Sequence, residues 1–284
     1  MTNKNIIKDR IKGAIYGVAI GDALGGPLEF MSAEAIQQNY GRVTEMIGGG
    51  WLDLEPGETT DDTAMTVAVA EGILEEPEMP YQAIGKRFIK WYKSGPKDIG
   101  NACACSILNA IRNKGDWWEA SHMTQAEHGR PVEGNGALMR TIYPALYYTN
   151  PHKRKLITRG IALMTHAGQQ STVICEDYVE IVHAAITDEE SHIRLTTGCP
   201  PTGYVFDTYN NALEAIFKTG NFEEAVIEAV NRGGDADTIG AVCGGLAGAM
   251  YGYSQIPERW IACLSKDLKK KLDRLADKAA EQYE

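Results

Sequence analysis

The chain has 284 residues, a formal net charge of −10 and a sequence pI near 5.2. This length allows a substantial core, and the 44% content of hydrophobic residues excludes general disorder. An acidic surface repels phosphate backbones, so we expect no nucleic-acid binding through a basic patch. The first residues lack an apolar core with a cleavage site, and no apolar run is a convincing membrane span. We therefore expect a cytoplasmic protein without membrane contact.

Apolar residues at helical spacing predict helices along almost the whole chain. The first predicted helix covers 10–25, and the second begins at Thr60 and ends before Pro77. The later ones cover 80–95, 101–115, 137–148, 151–168, 170–188, 207–220, 221–234, 239–253 and 265–283. Strand-like alternation is scarce, and no low-complexity linker divides the chain. The sequence predicts one compact all-α domain over residues 1–284.

The six cysteines show no spacing typical of a zinc site, because C-x-x-C pairs and neighbouring histidine pairs are missing from the sequence. Cys103, Cys105 and Cys243 lie in small, apolar surroundings. This setting favours buried free thiols, which agrees with a cytoplasmic protein.

Two of the predicted helices carry a glycine at every fourth residue. These glycines are Gly13, Gly17, Gly21 and Gly25 in one helix, and Gly240, Gly244, Gly248 and Gly252 in the other. Each glycine costs a helix about 1 kcal/mol relative to alanine, and this spacing places them on one side. We expect close backbone packing along both stripes. Packing alone does not explain the acidic residues at one end of each helix.

Two distant helix starts each combine two carboxylates with a threonine. These residues are Thr60, Asp61 and Asp62 at the first start, and Asp235, Asp237 and Thr238 at the second. One aspartate is ordinarily a cap, but a second carboxylate adds repulsion unless a cation is present. Oxygen ligands suit Mg²⁺ or Mn²⁺, and facing starts would suffice for two such ions. The spacing alone leaves capping with structural salt bridges as an equal alternative.

Four motifs then occur in a recognisable order. They are GAIYGVAIGDALGGPLEF, TTDDTAM, EGNGALMR and RGGDADTIGAVCGGLAGAMYG. Together they resemble the ADP-ribosylglycohydrolase family, and the resemblance covers the chain from Gly13 to about Tyr253. It implies a compact all-α fold with a binuclear Mg²⁺ or Mn²⁺ centre. It also implies that the threonines and aspartates of the two helix starts are the metal ligands.

The resemblance implies two further acids beside the metals. Glu29 in GGPLEF matches the family's acidic residue there, and Asp98 in KDIGNA matches its D-I-G element. Either side chain is a candidate to move a proton during catalysis. From the residues alone, Glu29 is a surface glutamate after a turn, and Asp98 is a cap for the helix over 101–115.

The loop EGNGALMR matches the family's glycine-rich loop around bound ADP-ribose. The implied substrate-binding residues are Gly134, Asn135, Gly136, Ala137, Met139, His166 and Tyr204. Paired glycines let backbone amides approach phosphate oxygens, and the predicted helix that follows favours an anion at its N-terminus. Ala137 stands where the family often has serine. Without the resemblance, the loop is a turn, and His166 and Tyr204 are packed side chains.

The resemblance implies a hydrolase that removes ADP-ribose from a modified protein, with arginine as the first candidate acceptor, by cleaving the glycosidic bond at the distal ribose. One alternative is hydrolysis of another conjugate, such as serine-linked or O-acetyl-ADP-ribose. The other is a catalytically silent family member that only binds ADP-ribose. All six implied metal positions carry residues that can bind a metal ion, which argues against this alternative. The expected partners are therefore an ADP-ribosylated protein or a small ADP-ribose conjugate, and the oligomeric state is left open.

Overall fold

A computed structural model describes residues 3–191 and 193–283. Its α-helices are α1 (Asn3–Gly25), α2 (Ala33–Tyr40), α3 (Asp61–Glu75), α4 (Tyr81–Lys93), α5 (Asn101–Arg112), α6 (Trp117–His128), α7 (Tyr143–Tyr147), α8 (Pro151–Leu163), α9 (Gln169–Thr187), α10 (Val205–Phe217), α11 (Phe222–Val230), α12 (Ala236–Tyr251), α13 (Glu258–Cys263) and α14 (Lys266–Ala280). Short 3₁₀ helices cover Gly26–Leu28, Leu138–Arg140, Tyr253–Gln255 and Glu281–Tyr283.

The predicted all-α fold is confirmed, since the described residues form only isolated β-bridges and no strand. Three helices were missed, namely α2, α6 and α13. Two of these helices begin with a typical N-cap residue. Ser32 accepts a hydrogen bond from Ala35 N at the start of α2, and Asp116 accepts hydrogen bonds from the backbone N–H groups of Trp118 and Glu119 at the start of α6. None of the helices in the described part of the chain is long and apolar enough to cross a membrane.

The single helix predicted over 137–148 is wrong. The chain instead forms the 3₁₀ turn Leu138–Arg140 and the separate helix α7, which has Pro144 in its first turn. A continuous helix cannot pass this point, because proline lacks an amide N–H and its ring clashes with the carbonyl four residues earlier. The glycine-rich loop therefore leads into a short 3₁₀ turn rather than into a long helix.

The centre of the fold is the antiparallel pair of α1 and α12, whose glycine stripes face each other. A Cβ on Gly17 would lie 2.6 Å from the carbonyl carbon of Gly244, and Gly21 opposes Gly240 in the same way. The predicted close packing is therefore present, because these positions leave no room for a side chain. This pairing brings the C-terminal end of α1 beside the N-terminal end of α12.

The cysteine prediction holds for two of its three positions. Cys103 and Cys243 are buried free thiols, whereas Cys105 is only partly buried. The helical periodicity identifies the apolar face of α5 but does not decide how deeply each position is covered by its neighbours.

Candidate active site

The two helix starts that carry paired carboxylates lie against each other. Thr60 Oγ1 is 3.5 Å from Asp237 Oδ2, and Thr238 Oγ1 is 3.3 Å from Asp62 Oδ2. All four side chains are buried, with 8% or less of their surface exposed. The tertiary structure thus brings together N-terminal residues of α3 and α12 that are about 175 positions apart in the chain.

Capping does not explain the carboxylates at the start of α3. Its N-cap residue, Thr60, makes no capping bond with its side chain. The cap comes from Asp22 in α1, whose carboxylate accepts hydrogen bonds from Thr60 N at 2.9 Å and Thr63 N at 3.0 Å. Asp61 and Asp62 are therefore available to the site. Sequence analysis missed Asp22, although a charged residue in the otherwise apolar helix with the glycine stripe is unusual and could have identified it.

Another acid, Glu29, lies beside the start of α12. Carboxylate oxygens of Glu29, Asp235 and Asp237 all lie within 4.8 Å of one another. Glu29 follows the 3₁₀ turn at the end of α1 and is 8% exposed, so it is not the solvated surface residue of the local interpretation. Trp51, which the sequence analysis did not identify, donates a hydrogen bond of 2.7 Å from Nε1 to Glu29 Oε2.

Asp98 and Asp61 complete the acidic wall of the site. Asp98 is partly buried and does not cap α5, because the N-cap residue of that helix is Gly100. Asp61 Oδ2 accepts a weak hydrogen bond of 3.3 Å from Gly100 N. The backbone around α5 is thereby joined to the start of α3.

Burial and mutual repulsion dominate the electrostatics of these acids. Burial, followed by the nearby charges of Asp98 and Asp235, raises the pKa of Glu29 to about 8. Burial raises the pKa of Asp22 to about 6 despite its hydrogen bonds, and burial with neighbouring carboxylates also raises the pKa of Asp62 and Asp237. The described residues that line the site include no lysine or arginine to offset this charge. A cation would relieve the repulsion.

One oxygen of the cluster lacks any partner within the protein. Asp62 is 1% exposed, and its Oδ1 atom is buried without a hydrogen bond. A buried unpaired carboxylate oxygen is costly unless a cation or water satisfies it. The surrounding donors are all oxygens, which is the set preferred by hard divalent cations. The residues present therefore fit a metal ion of the Mg²⁺ or Mn²⁺ type.

Several of the acids line a cleft of about 530 Å³. The same cleft is lined by four of the residues predicted from the glycine-rich loop and by one histidine: Gly134, Asn135, Gly136, Met139 and His166. Asn135 connects the loop to the acids, because its Nδ2 donates hydrogen bonds of 2.9 Å to Asp235 Oδ2 and to Thr208 Oγ1. Four of the predicted metal ligands thus line the same cavity, namely Asp61, Asp235, Asp237 and Thr238. Thr60 and Asp62 are buried and are not among its lining residues.

His166 is held beneath the loop by a chain of polar contacts. Arg140 Nη2 donates a hydrogen bond of 2.7 Å to Thr165 Oγ1, which lies 2.7 Å from His166 Nδ1. Because a guanidinium only donates, the Thr165 hydroxyl accepts from Arg140 and can donate a hydrogen bond to Nδ1. Nδ1 then acts as the acceptor, and the proton of the neutral ring is on Nε2. Burial and the positive charge of Arg140 lower the pKa of His166 to about 3, so the ring is neutral.

Nε2 of that ring is turned towards the glycine loop. A Cβ atom on Gly134 would lie 3.3 Å from His166 Nε2, and a Cβ atom on Gly136 would lie 3.4 Å from it. A side chain at either position would therefore press on the ring, which would have to move by a few tenths of an ångström. The ring can present a neutral N–H donor to this side of the cleft.

Two of the predicted substrate residues lie elsewhere. Ala137 is fully buried and does not line the cleft. Tyr204 is 39% exposed, forms an isolated bridge with Gly134 and donates a hydrogen bond to Gln170 Oε1, outside the cavity wall. A neighbour that sequence analysis missed, Glu133, accepts a hydrogen bond of 2.6 Å from Ser171 N and so fixes the loop against α9.

Comparison with known proteins agrees with the resemblance seen in the sequence. The ADP-ribosylglycohydrolase family profile matches residues 3–197 and 187–284, so the chain belongs to this family. The chain is 34% identical to the ADP-ribosyl-(dinitrogen reductase) glycohydrolase of Rhodospirillum rubrum, over 95% of both chains. It is 29% identical to the ADP-ribosylarginine hydrolase Tri1 of Serratia proteamaculans, over 89% of this chain and 74% of that protein.

A solved structure shares the whole architecture. It is described as an ADP-ribosylglycohydrolase-related protein complex, with a TM-score of 0.82, 29% sequence identity and coverage of 99% of this chain and 100% of that chain. Family, fold and relatives together establish a hydrolase of glycosyl bonds that removes ADP-ribose.

Proposed function

We propose that this protein removes ADP-ribose from modified arginine side chains and that two Mg²⁺ or Mn²⁺ ions assist it. The observation that carries the proposal is the shared cleft, in which oxygens of Glu29, Asp235 and Asp237 converge and Asn135 of the glycine loop contacts Asp235. Arginine as the acceptor is supported by the Tri1 relatives of Serratia proteamaculans and Pseudomonas putida, both named ADP-ribosylarginine hydrolases.

The metal ligands in this proposal are the six residues of the two helix starts: Thr60, Asp61, Asp62, Asp235, Asp237 and Thr238. The unpaired Oδ1 atom of Asp62 is the strongest support for this assignment. When bound, such ions would supply positive charge for oxygen atoms of the ribose and would lower the pKa of a coordinated water.

The ADP-ribose diphosphate is assigned to the side of the cleft formed by Gly134, Asn135 and Gly136. Glycine lets the backbone come close to phosphate oxygens without a Cβ in between. His166 adds a neutral N–H donor, which binds a phosphate or ribose oxygen without the cost of burying a second positive charge.

The reaction adds water across the glycosidic bond. The hydroxyl of water forms a bond to the ribose C1 atom, the C1–nitrogen bond breaks, and a proton is delivered to the leaving guanidine. The transition state carries positive charge on the sugar, which neighbouring carboxylates stabilise. Glu29, fixed by Trp51, is assigned the proton transfer between water and leaving group, and Asp98 is the second candidate for this step.

The function is tested by measuring ADP-ribose release from arginine-, serine- and ester-linked conjugates, with EDTA and after addition of Mg²⁺ or Mn²⁺. We expect metal-dependent release from the arginine conjugate. Preferred release from another linkage would replace arginine as the acceptor, and tight ADP-ribose binding with no release from any linkage would favour a silent binding protein.

The catalytic role of Glu29 needs a paired measurement. Glu29→Gln should lower single-turnover release by about 10²–10⁴-fold, because the amide cannot exchange the proton. Calorimetric affinity for ADP-ribose should stay within about fivefold, since the amide keeps the shape of the side chain. The exposed Glu34→Gln in α2 is the matched control and should leave both quantities unchanged. Unchanged release in Glu29→Gln would contradict the role.

A further inference from the structure

Two large aromatic side chains stand at the rim of the cleft, next to its carboxylates. Phe30 is 71% exposed and Trp51 is 54% exposed, and their ring centroids lie 5.6 Å apart with the planes tilted by 37°. Both residues line the cavity that contains Glu29 and Asp98. An adjoining pair of exposed rings at a polar cavity is typical of a recognition surface.

The backbone of Phe30 is held in a conformation that bulky residues rarely adopt. Its φ angle is +63°, in the left-handed region. Phe30 N donates a hydrogen bond of 2.7 Å to Gly234 O, and Gly234 N donates one of 2.7 Å to Met31 O. The segment that leads directly into Asp235 therefore fixes the backbone from which the Phe30 side chain extends. Such strained residues concentrate at functional sites.

Trp51 is positioned by a tight turn. Gly49 and Leu54 exchange backbone hydrogen bonds of 2.7 and 2.9 Å across the turn, and the side chain of Leu54 is buried. The indole is fixed at its other end by the bond from Nε1 to Glu29 Oε2. The Trp51 ring and the backbone of Phe30 are thus fixed before any substrate binds, which reduces the entropy lost on binding.

The rings and the acids together suit a planar cation. Aromatic faces attract cations, and a guanidinium also stacks on rings while it donates hydrogen bonds to carboxylates. The cavity that both rings line is also lined by Glu29, Asp98 and Asp235, and its described lining residues include no competing lysine or arginine. An ester or serine acceptor offers neither a positive charge nor a fork of N–H donors to this surface.

We infer that Phe30 and Trp51 form the acceptor subsite, which holds the guanidinium of the ADP-ribosylated arginine and selects this linkage. This inference rests on the proposed function, because it takes the bond beside Glu29 as the bond that is cleaved. The pair then contacts the leaving group rather than the ADP-ribose moiety.

Phe30 gives the cleaner test, since Trp51 also holds Glu29. Phe30→Leu removes the aromatic face, whereas Phe30→Tyr keeps it, and both variants retain a β-carbon at the same positive φ. The measurements are kcat/KM for a peptide carrying ADP-ribosylarginine and the calorimetric Kd of free ADP-ribose, both at saturating Mg²⁺. We expect Phe30→Leu to lower kcat/KM by about 3- to 30-fold, chiefly through KM. We expect its Kd for ADP-ribose to stay within about twofold, and Phe30→Tyr to resemble the wild type in both.

Two results would overturn the subsite. One is a Phe30→Leu variant that retains the wild-type kcat/KM. The other is an equal loss of affinity for free ADP-ribose, which would place the rings against the adenine or a ribose instead.

Failure of the proposed function is a separate outcome, because the wild type would then release nothing from the peptide. In that case the comparison moves to binding alone. The subsite requires that the wild type bind the ADP-ribosylarginine peptide more tightly than ADP-ribose and that Phe30→Leu abolish the difference. Equal affinities in the wild type would refute it.

Discussion

Gly17 of α1 and Gly244 of α12 lie backbone against backbone, so closely that a Cβ on Gly17 would be 2.6 Å from the Gly244 carbonyl carbon. This contact determines how near the two helix axes come. It therefore also determines how Glu29, just after α1, approaches Asp235 and Asp237 at the start of α12. The packing of two small residues and the geometry of the acidic site are consequences of the same helix pair.

Gly17→Ala should destabilise the protein by about 2 kcal/mol or more. The added methyl group forces the two helices apart, and this overpacking outweighs the gain of about 1 kcal/mol in helix propensity. The free energy of unfolding from urea denaturation measures the change. Gly220→Ala, where a Cβ meets nothing within 4 Å, is the control and should shift the value by about 0.5 kcal/mol or less. Similar values for both variants would argue against tight packing of the stripes.

Asp62→Asn should affect stability differently with and without metal. In EDTA at pH 7 the variant should be at least as stable as the wild type, because it removes a buried charge whose pKa is raised in the folded state. With Mg²⁺ at about 100 times its Kd, the wild type should gain about 2.7 kcal/mol, and most of this gain should be absent in the variant.

Thermal or urea unfolding with Mg²⁺ and with EDTA tests this prediction. The control is Asp53→Asn, an exposed position at positive φ that asparagine tolerates, and it should retain the full Mg²⁺ effect. A wild type that gains nothing from Mg²⁺ or Mn²⁺ would refute the metal assignment.

His166 should contribute to ligand binding as a neutral donor. Its pKa of about 3 means that the ring carries no charge from pH 5 to 8, so its NMR ring-proton shifts should be constant over that range. His166→Ala should weaken ADP-ribose binding by about tenfold, the equivalent of one lost hydrogen bond. His166→Gln should lose less, because its amide nitrogen can occupy the position of Nε2. A ring that titrates near pH 6.5 would contradict this picture.

Glu214 should stabilise the fold at neutral pH and lose this effect in acid. Hydrogen bonds from Lys218 and Arg232 lower its pKa from 4.5 to about 2. A group with a depressed folded pKa stabilises the protein above its unfolded pKa and ceases to do so as the pH falls through the folded value. Glu214→Gln should therefore cost about 1–2 kcal/mol at pH 7, after allowance for the solvent exposure of Lys218.

Urea unfolding at pH 7 and pH 3 measures this dependence. The difference between the wild type and Glu214→Gln should shrink to less than half at pH 3. Asp267→Asn is the control, because Asp267 is 91% exposed and 4.0 Å from Lys270, and it should change little at either pH. A cost that does not vary with pH would point to lost packing rather than lost charge.

The sequence by itself determined the all-α fold, because helical periodicity and end signals are local and were repeated along the chain. It also indicated the glycine stripes and the oxygen-rich helix starts, since each is a pattern within one element. The same local reasoning failed at 137–148, where Pro144 interrupts a pattern that otherwise suits a helix. It also missed α6, whose cap residue Asp116 was overlooked.

Only the tertiary structure decided which residues meet in the site. Asp22 caps a helix 38 residues away, Trp51 holds Glu29 across 22 residues, and Asn135 reaches Asp235 across 100. Such contacts depend on how packed helices direct side chains from separate elements towards one point, and a period in the sequence carries no information about that direction. The sequence therefore specified the ligand types of the cleft, and the packing of α1 against α12 specified their arrangement.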